Sequence, residues 1–232
     1  MADSLVVITG AAGALGRGVA QAFINAGHRV VLVDRDAAAL RAVYSGEKAG
    51  QYLVAVDLTS REATQKALGD CFAQHGVPAV LCNIAGGFAM GDAVHEAGEE
   101  VWQQMLEMNV NTVLNTSYAV VPGMLASGGG KVINVAAAGA VSGKPAMAPY
   151  CVSKSAVARI TESMALELRD KGINVNAVAP SIIDTPSNRA GMPDADPALW
   201  VSPEQLANVI LFLASEQASA VHGAVIPVVG RS

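Results

Sequence analysis

Aromatic residues are scarce: four Phe, four Tyr and two Trp make up 4% of the 232 residues. A core built without them falls to Ala and Val, which suit close packing of helices on a sheet, and the 52% apolar content is enough to bury one. Charge is sparse too, at 15% with a net of −5. With no Lys/Arg cluster, a nucleic-acid partner is not expected. Cys71, Cys82 and Cys151 are odd in number and far apart. They form neither a disulfide framework nor a zinc spacing, so no metal is expected, and reduced thiols in the cytoplasm are. No apolar run is long enough to span a membrane. The first one, Leu5 to Ile8, is too short for a signal peptide and runs straight into a glycine turn.

What is present is alternation. Short apolar runs at 5–9, 29–34, 52–56, 79–82, 131–136, 174–179 and 224–228 read as strands. Helical patterns fall between them at 15–26, 37–44, 61–74, 99–125, 149–171 and 203–214. Thr185 to Trp200, with three prolines, reads as irregular. Strands that are apolar throughout and alternate with helices predict a single α/β domain over 1–232. Its expected form is a Rossmann-type, doubly wound parallel sheet of about seven strands with helices on both faces.

Thr9-Gly-Ala-Ala-Gly-Ala-Leu-Gly16 joins the first strand to the first helix. Glycines there let the backbone approach a pyrophosphate, whose charge suits the helix N-terminus. Asp34 ends the second strand. A carboxylate at that place accepts bonds from the adenosine ribose and repels a 2′-phosphate, so NAD(H) is favoured. Arg35 follows directly and leaves NADP(H) open. Tyr150 and Lys154 are four apart and share one helix face. An ammonium beside a phenol favours the phenolate and lowers its pKa, which fits proton transfer.

Together these residues resemble the short-chain dehydrogenase/reductase family over essentially the whole chain. The resemblance implies a hydride-transferring enzyme with Gly10, Ala12, Gly13, Leu15 and Gly16 around the phosphates. Ala14 departs from the usual middle glycine of the turn. Asp57 and Leu58 would meet the adenine, and Asn83, Ala85 and Gly86 would line the cofactor. Pro180, Ile183 and Thr185 would hold the carboxamide, with Ser181 in place of a glycine. Tyr150 becomes the acid/base and Lys154 its tuner, with a second bond to the nicotinamide ribose. Asn109 matches the asparagine that anchors a water leading to the lysine, and it also fits an amide closing a local helix irregularity. The helices at 99–125 and 149–171 resemble the pair that forms the family's two-fold interface, implying a homodimer or homotetramer.

One position departs from the pattern. Ala137 stands where the family carries a serine that holds the substrate carbonyl. Such a donor typically contributes ~10²–10³ in rate when charge builds on oxygen. Ser142 is the nearby hydroxyl, and such a serine more often caps a turn than replaces the missing donor. The dihydropteridine reductase branch carries alanine at that place and reduces an imine-like quinonoid dihydropterin. The run from Asp184 to Asp196, with Trp200 after it, is similar to that branch, as are Gly13 to Gly16 and Ala85 to Phe88. Asn83 and Asn109 follow the main family pattern, so the chain stands between the two. The expected acceptor is therefore imine-like or quinonoid, met by Ala137, Phe88, Asn188 and Arg189, with Met192 and Trp200 in a lid. The alternatives are an ordinary carbonyl/alcohol dehydrogenase working without the serine, and a catalytically silent NAD-binding sensor or structural subunit.

Overall fold

The computed structural model describes residues 3–45 and 48–232. Seven parallel strands form one sheet in the order β3-β2-β1-β4-β5-β6-β7. They are β1 (Leu5–Thr9), β2 (Arg29–Asp34), β3 (Gln51–Ala55), β4 (Val80–Asn83), β5 (Gly130–Val135), β6 (Ile173–Pro180) and β7 (Val225–Val228). The order reverses between β1 and β4, and a ligand crevice opens at the carboxyl ends of strands at such a switch point.

The strands read as continuous apolar runs because both faces are covered. Val6, Ile8, Val30 and Leu32 point to one side, where they meet α1 (Ala14–Asn25) and α8 (Pro203–Leu213) through Val19, Phe23, Leu206 and Ile210. Leu5, Val7, Val31 and Val33 point to the other. There they join the cluster formed with α3 (Arg61–His75), α5 (Thr112–Ala126) and α6 (Ala148–Leu168). Burying a large aliphatic side chain contributes ~1.5–3 kcal/mol, so removing any of these should be costly. Asp36 caps α2 (Ala37–Val43), Ser60 caps α3, and Ser202 with Gln205 forms a capping box on α8.

Two expectations change in detail. The helix predicted over 99–125 is interrupted. It runs as α4 (Glu99–Leu106), a π-helical turn at Glu107–Asn111, then α5. The wide turn carries Asn109 inward, where its amide is buried and fully engaged. The stretch predicted to be irregular contains α7 (Pro186–Gly191) and a 3₁₀ turn at Pro197–Leu199. Thr185 caps α7 by accepting from Asn188 N at 3.1 Å, and Pro186 supplies the first helical residue. Prolines that suggest a loop are here helix starters. No described helix is long and apolar enough to cross a membrane.

Candidate active site

The phosphate turn depends on two glycines. Gly10 has φ +63°, and a Cβ there would stand 3.0 Å from Ala85 Cα. A Cβ on Gly16 would collide with the Gly10 carbonyl. Gly13, by contrast, has an ordinary extended φ of −73° as the residue before α1. Ala14 is simply the first residue of the helix, which is why the departure there leaves the turn intact. No side chain caps α1, so its first N–H groups remain available to an anion. Tyr44, which the motif does not include, braces the turn by donating its hydroxyl to Ala11 O at 2.8 Å.

The end of the cleft around Asp34 is closely tied. Asp34 accepts from Ala12 N at 3.0 Å through one oxygen and from Arg35 N at 2.8 Å through the other. Asp57 accepts from both Thr59 N and Thr59 Oγ1, and these bonds hold its carboxyl below the usual range. Asn115 on α5 is buried and donates to Leu58 O at 2.9 Å and Thr59 O at 3.0 Å. A cleft of about 440 Å³ runs past Gly10, Gly13, Leu15, Gly16, Asp34 and Arg35 on one side. Asp57, Leu58, Ala85, Gly86 and Thr185 border it as well. The two glycines, the uncapped helix and Asp34 in one cleft suit a dinucleotide.

The floor between the two ends is polar and buried. Thr9 Oγ1 accepts from Ile84 N and Ala85 N. Thr116 donates to Asn83 at 2.7 Å, Asn83 to Asn134 at 2.9 Å, and Asn134 to Thr161 at 2.9 Å. This chain crosses the sheet from α5 to α6, and each of the four residues is at most 3% exposed. Buried and satisfied, such a network fixes one register of helices on strands.

Tyr150 and Lys154 lie one turn apart on α6. Lys154 is buried, donates from Nζ to Val135 O at 2.9 Å, and is lowered by that burial to about 8. Burial pushes Tyr150 up to about 12 in the chain by itself, opposite in direction to the lowering expected beside a lysine. Tyr150 therefore keeps its proton at neutral pH, as a general acid should. The Phe88 ring meets it edge to face, with centroids 4.9 Å apart.

Asn109 acts as a clamp. It accepts from Gly87 N at 2.9 Å and donates to Gly87 O at 3.1 Å and to Ser153 Oγ at 3.0 Å. Ser153 in turn donates to Tyr150 O at 2.8 Å. Asn109 sits in the π-helical turn, and its amide ties that turn to the loop at Gly87 and to α6 at Ser153. A Cβ on Gly86 would come within 2.6 Å of Asn109 Oδ1 and 3.2 Å of Lys154 Nζ, so only glycine fits over that pair. Ala137 is 7% exposed and precedes a 3₁₀ turn at Ala138–Ala140. That turn is docked on α6 beside Tyr150, with Ala140 O accepting from Ser155 and Gly139 O from Cys151. Ser142 is exposed beyond the turn.

The lid residues bond among themselves. Asn188 donates to Ile183 O at 2.7 Å, steadying the segment after Pro180 that also pairs with Val201. Arg189 makes a two-pronged pair with Asp184 at 2.6 and 2.8 Å. It borders a separate depression with Arg17 and Glu204, between α1 and α8. The pair with Asp184 braces α7. Tyr44, Asn115 and Ser153 belong to no motif: Tyr44 and Asn115 bond backbone groups far away in sequence, and Ser153 receives the distant Asn109 side chain.

A family profile described as short chain dehydrogenase matches residues 4–195. The NAD-dependent glycerol dehydrogenase of Listeria innocua is 29% identical over 230 residues, covering 95% of this chain and 90% of that protein. The structure of a 3-ketoacyl-(acyl-carrier-protein) reductase from Brucella melitensis complexed with NADH superposes with a TM-score of 0.89 at 28% identity. The match covers 100% of this chain and 99% of that one. A gluconate 5-dehydrogenase from Burkholderia cenocepacia in complex with NADP and tartrate gives 0.91 at 27% identity, covering 99% and 95%. Sheet order, glycine turn and matched profile agree: the chain is an oxidoreductase belonging to the short-chain dehydrogenase family.

Proposed function

We propose that this protein transfers hydride between NAD(H) and a small imine-like or quinonoid acceptor, quinonoid dihydropterin being the representative. The observation that carries the reading is Ala137. A methyl group stands where a donor to a developing alkoxide would act, while Tyr150 retains its proton. An acceptor reduced across nitrogen builds no alkoxide, so a single positioned proton suffices. A bound dinucleotide would supply the hydride. Asp34 would orient the adenosine ribose and disfavour NADP(H), Ile183 and Thr185 would hold the carboxamide, Lys154 would bond the second ribose, and Tyr150 would give its proton to the acceptor.

A second reading, reduction of an ordinary ketone, is favoured by the relatives, among them the glycerol dehydrogenase. Initial rates of NADH oxidation with quinonoid dihydropterin and with dihydroxyacetone separate the two. The proposal expects the pterin to be faster by at least tenfold. A rate with the ketose alone would favour the second reading. No rate with either, while NADH still binds, would mean a silent binder. Exposed Tyr118 and Leu125 on α5 and Val152 and Leu166 on α6 support a homo-oligomer joined through these helices. Sedimentation at several concentrations tests that part.

A further inference from the structure

Ser181 opens the segment that carries Ile183 and Thr185, and the proposed chemistry gives its hydroxyl no task. The structure gives it partners beyond the end of β7. Ser181 Oγ donates to Val229 O at 2.9 Å and lies 2.8 Å from Ser232 Oγ. Its backbone follows the same course, with Ser181 N donating to Val228 O at 3.2 Å. The segment 229–232 is thereby fastened to the point where the chain leaves β6.

That segment also reaches a second stretch of chain. Arg231 N donates to Leu199 O at 3.0 Å, and Arg231 Nη2 donates to Ala198 O at 2.9 Å. Gly230 makes the approach possible. It holds φ +60°, and a Cβ there would stand 3.0 Å from Leu199 O. Glycine takes that conformation without steric cost.

The two stretches so fastened are paired with each other. Val201 N donates to Ile182 O at 3.0 Å, Asp184 N donates to Val201 O at 2.8 Å, and Ile183 and Val201 form an isolated parallel bridge. Residues 181–185 and 198–201 therefore lean on one another, and 229–232 ties both from one side. Thr185 borders the cofactor cleft at the edge of this unit. None of these bonds involves a group at the Asp34 end. Each is worth little alone, since an exposed hydrogen bond contributes only modestly to stability. Together they decide where a short segment without a helix or strand of its own comes to rest.

We propose that Ser181 and Arg231 are positioning residues for the nicotinamide end of the cleft. Acting through 229–232, they set where Ile183 and Thr185 stand and so how tightly a carboxamide is held. The proposal rests on the reading of Ile183 and Thr185 as the carboxamide holders.

Calorimetry with NADH and with ADP-ribose, which lacks the nicotinamide ring, tests it apart from turnover. The wild type should bind NADH more tightly, and the ratio of the two dissociation constants measures the hold on the ring. Ser181→Gly and Arg231→Ala should each cut that ratio by about threefold, and the double variant by about tenfold. ADP-ribose binding should stay within about twofold. Ser181→Thr, which keeps the hydroxyl, should restore the ratio. All of these bonds lie near the surface, so the variants should melt close to the wild type. An unchanged ratio in the double variant would overturn the proposal. Equal losses for both ligands would overturn it too, because the segment would then serve general stability. Failure of the underlying reading shows differently: a wild type that binds NADH and ADP-ribose alike has no hold on the carboxamide, and the proposal falls with it.

Discussion

Around Asp34 the backbone is bonded on every side. Asp34 holds Ala12, Asp57 holds Thr59, Asn115 holds Leu58 and Thr59, and Tyr44 holds Ala11. Around Tyr150 the bonds stop at the base. Asn109 fixes Gly87 and Lys154 fixes Val135, but above them Phe88, Met90 and Val141 face outward. The difference separates two tasks. An end that would take one cofactor has one shape to reproduce, and its side-chain-to-backbone bonds hold that shape. The acceptor end has few bonds to satisfy, so its residues can change with the substrate while the sheet and helices stay as they are.

The sharpest way to test this contrast is Tyr150→Phe. Removing the proton donor should cost ~10²–10⁴ in kcat, with NADH affinity by fluorescence titration unchanged. A variant that keeps turnover would move the chemistry elsewhere. At the opposite end, Asp34→Asn should shift the kcat/KM preference from NADH toward NADPH by about tenfold or more, because the carboxylate no longer repels a 2′-phosphate. A constant ratio would assign cofactor choice to another group.

Asn115→Leu probes the tie between helix and adenine loop. It strips the buried Leu58 carbonyl and the part-buried Thr59 carbonyl of their donor. KM for NADH should rise roughly fivefold to tenfold, for a loss of about 1–1.5 kcal/mol. Reduced nicotinamide mononucleotide, which has no adenosine, should be used as well by the variant as by the wild type. Equal losses with both would make Asn115 a general stability residue.

Lys154 gives a smaller effect, read through pH. Its folded-state pKa of about 8 lies below the ordinary 10.5 because of burial. Below pH 8 the folded protein therefore carries a charge that burial disfavours. Between about 8 and 10.5 the unfolded chain holds a proton the folded one has lost, so this group makes stability rise with pH. Tyr150, raised to about 12, acts in the opposite sense above pH 10, so variants must be compared with the wild type rather than raw curves read alone. Lys154→Met should melt higher than wild type at pH 7, with the gain shrinking toward pH 10. A pH-independent difference would contradict the assignment.

Much of the cofactor half is legible in the sequence because its signals are local. Gly10 and Gly16 flank a turn only glycine can make, and Asp34 ends a recognisable strand. The strands are legible for a related reason: Val6 and Val7 point to opposite faces, yet both are buried. The π-helical turn at Asn109 is hidden, since apolar periodicity continues through it and only the distant partners Gly87 and Ser153 make it necessary. The capping of α7 by Thr185 is obscured by the prolines around it. The pairing of Arg189 with Asp184, five residues earlier, is likewise not announced by any motif. The upward push of burial on Tyr150 is not legible either, because a Tyr-Lys spacing carries no information about burial.

The central claim is that Tyr150 protonates an acceptor that needs no second donor at position 137. The most direct test is the background-corrected initial rate of NADH oxidation with quinonoid dihydropterin, in wild type and in Ala137→Ser. The account predicts a fast wild-type rate that the added hydroxyl does not improve. A slow wild-type rate that Ala137→Ser raises by tenfold or more would contradict it, since the missing donor would then be a deficiency and not a fit to the substrate.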